Sequence, residues 1–171
     1  NRGVEAFNAI SSKLSGQVFN FVMDGFLNSA ITHSNSMFYA KLESSEEAVL
    51  LPQNLRLAMG KLMKSLEFIQ PLLAPHQFQI LFCKTLPEKL AAFMYQGLLL
   101  KNFFTQFGAE RFCLDLQFIQ DSLMEKKASF HLNPLQIKTA FLKVSEAAEI
   151  LKIREKDPTG PFDGARLAKS V

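Results

Sequence analysis

The chain of 171 residues has no tryptophan, two cysteines and three histidines, and these scarcities remove much chemistry at the outset. Cys83 and Cys113 lie far apart with no C-x-x-C spacing, which excludes a secreted disulfide framework and reads as two reduced core thiols in a cytosolic protein. Zinc needs four ligands at paired short spacings, which distant cysteines and single histidines do not supply. No G-x-x-x-x-G-K or G-x-G-x-x-G loop is present to cradle a phosphate. No apolar run approaches the ~20 residues that cross a bilayer. Charge of one sign is also lacking: 19 basic against 16 acidic residues leave +3, scattered rather than gathered into a nucleic-acid-binding stripe. Alternation of period two is missing, as is any Asn-Gly or Asp-Gly hairpin turn, so the expected fold class is all-α.

What is present is apolar: 48% hydrophobic and 20% charged residues, enough for one packed domain without metal or disulfide. The opening NRGVEAFNAI lacks the continuous apolar stretch of a signal peptide and reads as entering a helix from preceding sequence. From Val4 to Ile31, Phe7, Ile10, Leu14, Val18, Phe21, Val22 and Phe26 recur at spacings of three and four, predicting one side of a helix weakened at Gly16 and Gly25. The serine-rich, acidic stretch 33–50 predicts a long, mobile surface loop and the best place for a contact or modification. A second stripe runs from Leu55 to Leu73 and stops at Pro71 and Pro75.

A third stretch from His76 meets Pro87, which either kinks a long helix or begins a new one, and continues to about Phe107. Gly108 is expected to break it, with the next helix running from Ala109 to Glu125. After a linker at 126–132, Asn133-Pro134 is a start signal: a capping oxygen followed by proline at the first helical position. Ile137, Phe141, Val144, Ala148 and Leu151 then form a sharply defined stripe. The expected architecture is an elongated antiparallel bundle of about five helices over 1–153, followed by an irregular tail at 154–171.

Candidate reactive groups are few. His33, His76 and His131 fall in loops or at helix starts, where a solvated or capping histidine is the ordinary role. Glu46 and Glu47 read as a solvated patch. Asp115, flanked by Leu114 and Leu116, is expected to be partly buried and to hold a structural hydrogen bond, with no second titratable group beside it. No catalytic residue, cofactor or metal is expected, and the chain does not read as an enzyme. The 17 phenylalanines are expected mostly in the core, with Phe103, Phe104 and Phe107 covering more than one helical face and available to a neighbouring domain.

Read as a unit, LPEKLAAFMYQGLLLKNFFTQFGAERFCLDLQFI carries Phe93, Tyr95, Gln96, Leu99 and Leu100, then Gly108, Ala109 and Asp115. This aromatic-x-Tyr-Gln pair, aliphatic run, Gly-Ala break and later aspartate resemble the C-terminal part of the RINT/TIP family of vesicle-tethering proteins, over roughly Leu86–Ile153. Gly97 departs from the family's larger residue after the Tyr-Gln pair, and Glu110-Arg111 from its more neutral pair. The resemblance implies a rod of stacked helical bundles, as in multisubunit tethering complexes. It also implies a non-catalytic interaction domain in Golgi-to-endoplasmic-reticulum retrograde transport. Expected partners are other tethering-complex subunits and endoplasmic reticulum SNAREs, and the expected location is cytoplasmic, held at the reticulum membrane through those partners. The alternative reading is a helical bundle that binds an apolar ligand such as a lipid in a phenylalanine-lined cavity.

Overall fold

A computed structural model describes residues 2–30, 38–49, 53–154 and 162–163. Five long helical stretches make an all-α bundle: α1 (Arg2–Ala30), α3 (Gln53–Ile69), a continuous run at 75–101, α6 (Gln106–Glu125) and α8 (Pro134–Arg154). Shorter pieces are α2 (Ser45–Val49) and α7 (Lys127–Phe130). The run at 75–101 alternates α-helical turns (α4, Pro75–Phe78; α5, Leu86–Ala92) with wide π turns at Gln79–Thr85 and Phe93–Leu98, and closes in a tight 3-10 turn at Leu99–Lys101. Pro87 neither ends nor starts the helix. An α-helical proline would drive its ring into the carbonyl four residues back, and the wide turn just before it relieves that clash.

Pairings between helices fix their directions. Ser15 meets Gln77, Phe19 meets Phe82 and Phe26 meets Phe93, so α1 and the 75–101 run point the same way. Cys113 meets Ala148 and Gln120 meets Ser145, so α6 and α8 are antiparallel. Contacts from Gln77 to Ser11 and Ser15, Gln70 to Ser129, Lys126 to Glu67 and Phe78 to Phe130 gather at one end of the bundle. The segment 38–49 and the start of α6 lie at the other.

The core is mostly aliphatic and aromatic, with Phe26, Phe82, Phe112, Phe130 and Phe141 sealed from solvent. Rings meet rings: Phe78 stacks on Phe82 at 5.0 Å and Phe104 lies edge-on to Phe112 at 5.6 Å. The α8 stripe of Ile137, Phe141, Val144, Ala148 and Leu151 is buried as its spacing predicts, and the Asn133 side chain caps the helix by accepting from the Leu135 N–H at 2.9 Å.

Several expectations are corrected. The apolar positions of α1 do not share one side: Phe19, Val22, Met23 and Phe26 are buried, whereas Phe7, Ile10, Leu14 and Phe21 are exposed. At 100° per residue the two sets point about 140° apart, so a spacing of three and four had merged two faces. The helix break falls at Asn102, not at Gly108, because Thr105 caps α6 by accepting from the Gly108 N–H at 3.1 Å. The 38–49 part of the expected loop is docked and carries its own short helix; 31–37 and 50 lie outside the described residues. In the expected irregular tail, Phe162–Asp163 pairs antiparallel with Phe103–Phe104 as a two-residue ladder, β2 on β1.

Candidate functional site

One end of the bundle is organised by three polar side chains that the core has swallowed. Arg111 and Asp115 stand one turn apart on α6, at 1% and 0% exposure, and Tyr39 arrives from the 38–49 segment, also at 0%. Spacing of i and i+4 puts the guanidinium and the carboxylate on one face of the helix. Arg111 donates through Nε to Asp115 Oδ1 at 2.8 Å, and its Nη2 donates to the same oxygen. The Tyr39 hydroxyl donates to Asp115 Oδ2 at 2.9 Å, so both carboxylate oxygens are used. Arg111 Nη1 donates to the Ala48 carbonyl at 2.9 Å, which ties the C-terminal turn of α2 to α6.

Backbone groups complete the clamp. The Tyr39 carbonyl accepts from the Thr105 N–H at 3.4 Å and hydroxyl at 3.2 Å, and that hydroxyl also lies 3.0 Å from the Leu42 carbonyl. Gly108 sits directly under this turn: a Cβ there would come within 1.8 Å of the Tyr39 carbonyl oxygen. Glycine is needed here for close approach of two backbones, not for a helix break. The Tyr39 ring stacks on Phe104 at 5.1 Å and lies edge-on to Phe112 at 5.8 Å. At the start of α2, Ser44 accepts from the Glu47 N–H and the Glu47 carboxylate accepts from the Glu43 N–H, a reciprocal cap that spends both groups locally.

Burial dominates the electrostatics. It raises the Asp115 carboxyl from 3.8 to about 6, against the opposing pull of the Arg111 charge and hydrogen bonds and of the Tyr39 hydroxyl. Burial also raises the Tyr39 phenol well above 10.0, helped by the Asp115 charge and hydrogen bond and opposed by Arg111. The phenol therefore stays a donor. With every charged atom paired and no solvent contact, the cluster holds 38–49 against α6 and offers no surface to a substrate.

The other sequence-selected residues are dispersed. Gly108 is buried against Tyr39 and Ala109 is buried next to it in the chain, so of these residues only they and Asp115 lie at this site. Phe93 packs edge-on against Phe26 at 5.5 Å, Leu99 is buried, Leu100 is half-buried and Gln96 is exposed. Tyr95 is half-buried with Lys143 Nζ 4.7 Å from its ring centre. A side chain at Gly97 would crowd the Phe93 ring at 3.1 Å, which gives the small residue a local reason. Phe104 is buried, Phe103 exposed and Phe107 half-buried. His76 and His131 are exposed, the latter at a helix end with a left-handed φ of 53°; His33 lies outside the described residues.

Cys83 donates to the Phe130 carbonyl and burial raises its thiol, while Cys113 is half-buried; neither forms a disulfide. Among the described residues no cluster of three histidine, cysteine or carboxylate side chains could hold a metal ion, and no helix is long and apolar enough to cross a membrane.

Two features escaped the sequence reading. Arg111 is the charged companion that Asp115 was expected to lack, and the i, i+4 spacing was the signal that could have found it. Tyr39 had no such signal, being 76 residues from the aspartate it meets.

The second feature lies at the opposite end. Phe7 and Phe21 are 70% and 80% exposed, with Ile10 and Leu14 between them, on the side of α1 turned away from the bundle. Since Ser11 and Ser15 already meet Gln77 near the start of the 75–101 run, residues 2–10 project past the bundle end, and all nine are exposed. The outward stripe follows heptad spacing: Phe7, Ile10, Leu14, Gln17 and Phe21. No family model, curated protein sequence or solved structure matches this chain.

Proposed function

We propose that this chain is a non-catalytic helical interaction domain of a vesicle-tethering complex subunit. It would act in retrograde transport to the endoplasmic reticulum, beside other tether subunits and the SNAREs of that membrane. The observation that supports an interaction role is the outward stripe of α1. Exposed phenylalanines are costly to keep in water, and a line of large apolar side chains with helical repeat, broken only at Gln17, is a surface shaped for another helix. The tethering context rests on the resemblance over Leu86–Ile153, whose motif residues mostly pack helices together, as a strut requires. A tether raises the local concentration of the components it links, which needs reach and stiffness and no reaction.

The test is capture from cytosol and membrane extracts by the intact chain. Tether subunits and endoplasmic reticulum SNAREs are expected in the bound fraction, and Phe7→Ser combined with Leu14→Ser should lose them while the helical circular dichroism stays unchanged. Recovery of neither class of protein by the wild-type chain would end the proposal.

A further inference from the structure

We infer that the outward stripe of α1 is a self-association surface, on which a second copy of this chain packs its own α1 in antiparallel orientation. The inference rests on the interaction reading above and names the partner. Three observations carry it.

The first is layering. In an antiparallel helix pair each a position faces a d position of its partner, so a register in which paired residue numbers total a constant puts every layer in place at once. With Leu14 set opposite Ile10 of the second copy, Phe7 falls opposite Gln17 and Phe21 opposite Gly3. The most exposed phenylalanine of the helix therefore meets a position with no side chain, twice, by the symmetry of the pair.

The second is charge. Arg2 lies one residue before Gly3 and Asp24 three residues after Phe21, and both are exposed on the flank of the stripe. In the same register Arg2 of one copy lies about two residues of helix rise, ~3 Å along the axis, from Asp24 of the other, within reach of an arginine side chain. Two such pairs close the ends of the contact.

The third is access. The bundle packs on the side of α1 that carries Phe19, Val22 and Phe26, about 140° around the helix from the stripe, so a second helix can lie along the stripe without meeting the first bundle's own helices. The paired segment from Gly3 to Asp24 runs for about 33 Å, roughly three heptads, short for a two-stranded coil and suited to a reversible dimer. One unfavourable pair is built in. The two Lys13 ammonium groups meet near the twofold axis, with no acid of the stripe beside them.

Sedimentation equilibrium of the full chain over a hundredfold range of concentration tests this. The wild type is expected to show a reversible monomer–dimer equilibrium. Asp24→Arg and Arg2→Asp should each weaken it about tenfold, the double exchange should restore it, and Lys13→Gln should tighten it several-fold. Phe21→Ser should abolish it; the residue is exposed, so circular dichroism and thermal unfolding of that variant should match the wild type.

A wild-type chain that stays monomeric throughout overturns the inference, and so does a dimer whose charge exchanges fail to rescue one another. The reading of the chain as an interaction domain fails separately. A monomer that still captures tether subunits through the stripe removes the second copy and keeps the function, while a dimer that captures nothing keeps the second copy and removes the tether.

Discussion

Gly108→Ala separates the role of this glycine in its helix from its role beneath the docked segment, because the two predict opposite signs. Gly108 is the third residue of α6, and alanine in a helix is ordinarily better than glycine by about 1 kcal/mol. The structure places the Tyr39 carbonyl oxygen 1.8 Å from the Cβ that alanine would add. Since real Cβ contacts do not fall below 3.0 Å, that carbonyl must retreat by at least about 1 Å, and it belongs to backbone that Thr105 holds in place.

Retreat stretches the Thr105 contacts to Tyr39 and Leu42 and pulls the Tyr39 hydroxyl from Asp115. At about 1 kcal/mol for each of these three hydrogen bonds, plus about 1–3 kcal/mol for the overpacking, and less the helical gain, the net loss should be about 3–5 kcal/mol. Urea unfolding followed by circular dichroism measures it as a lower midpoint at unchanged slope. Gly60→Ala is the control: it lies on the exposed face of α3 with nothing within 4 Å of the added methyl, and should gain about 0.5–1 kcal/mol. If Gly108→Ala is as stable as the wild type, or moves with Gly60→Ala, the tight approach of the two backbones does not exist.

Three further outcomes follow from the same cluster. Tyr39→Phe keeps the ring stack and removes one donor to a buried carboxylate, so unfolding should come about 1–3 kcal/mol sooner by the same urea measurement. Arg111→Ala leaves Asp115 buried without its counter-charge and should lose about 3–5 kcal/mol, with new protease cleavage expected within 38–49, the segment it holds. For pH, the sign follows from the raised Asp115 carboxyl: the folded chain binds that proton more tightly than the unfolded chain does. The associated stability is fully present below about pH 4 and is lost as pH rises through about 6, so the wild type should lose stability relative to Asp115→Asn between those values in paired denaturation series.

Legibility in the sequence followed the range of the interactions. The Asn133-Pro134 start and the single stripe of α8 were readable because capping and periodicity are local, and the helix formed where they put it. Asp115 was readable as partly buried, from its two leucine neighbours, and is in fact sealed from solvent. The partnership with Tyr39 was not, since no local pattern announces a contact that spans two helices. Gly108 shows the same limit: a glycine near a helix start looks like punctuation, and only the docked 38–49 turn reveals it as a bearing surface. In α1 the difficulty was different. Two apolar faces on one helix superimpose into a single run of spacings, and only packing could say which face the bundle had taken.

The overhang at 2–10 has a consequence for how firmly α1 is made along its length. All nine residues are exposed and gain nothing from packing on the bundle, so those turns are held less firmly than the rooted half that carries Phe19 and Phe26. Amide exchange with heavy water should therefore grade along a single helix, fast near Phe7 and slow near Phe26. Any macromolecule that settled on the projecting turns would flatten that gradient, turning the helix itself into a reporter of occupancy.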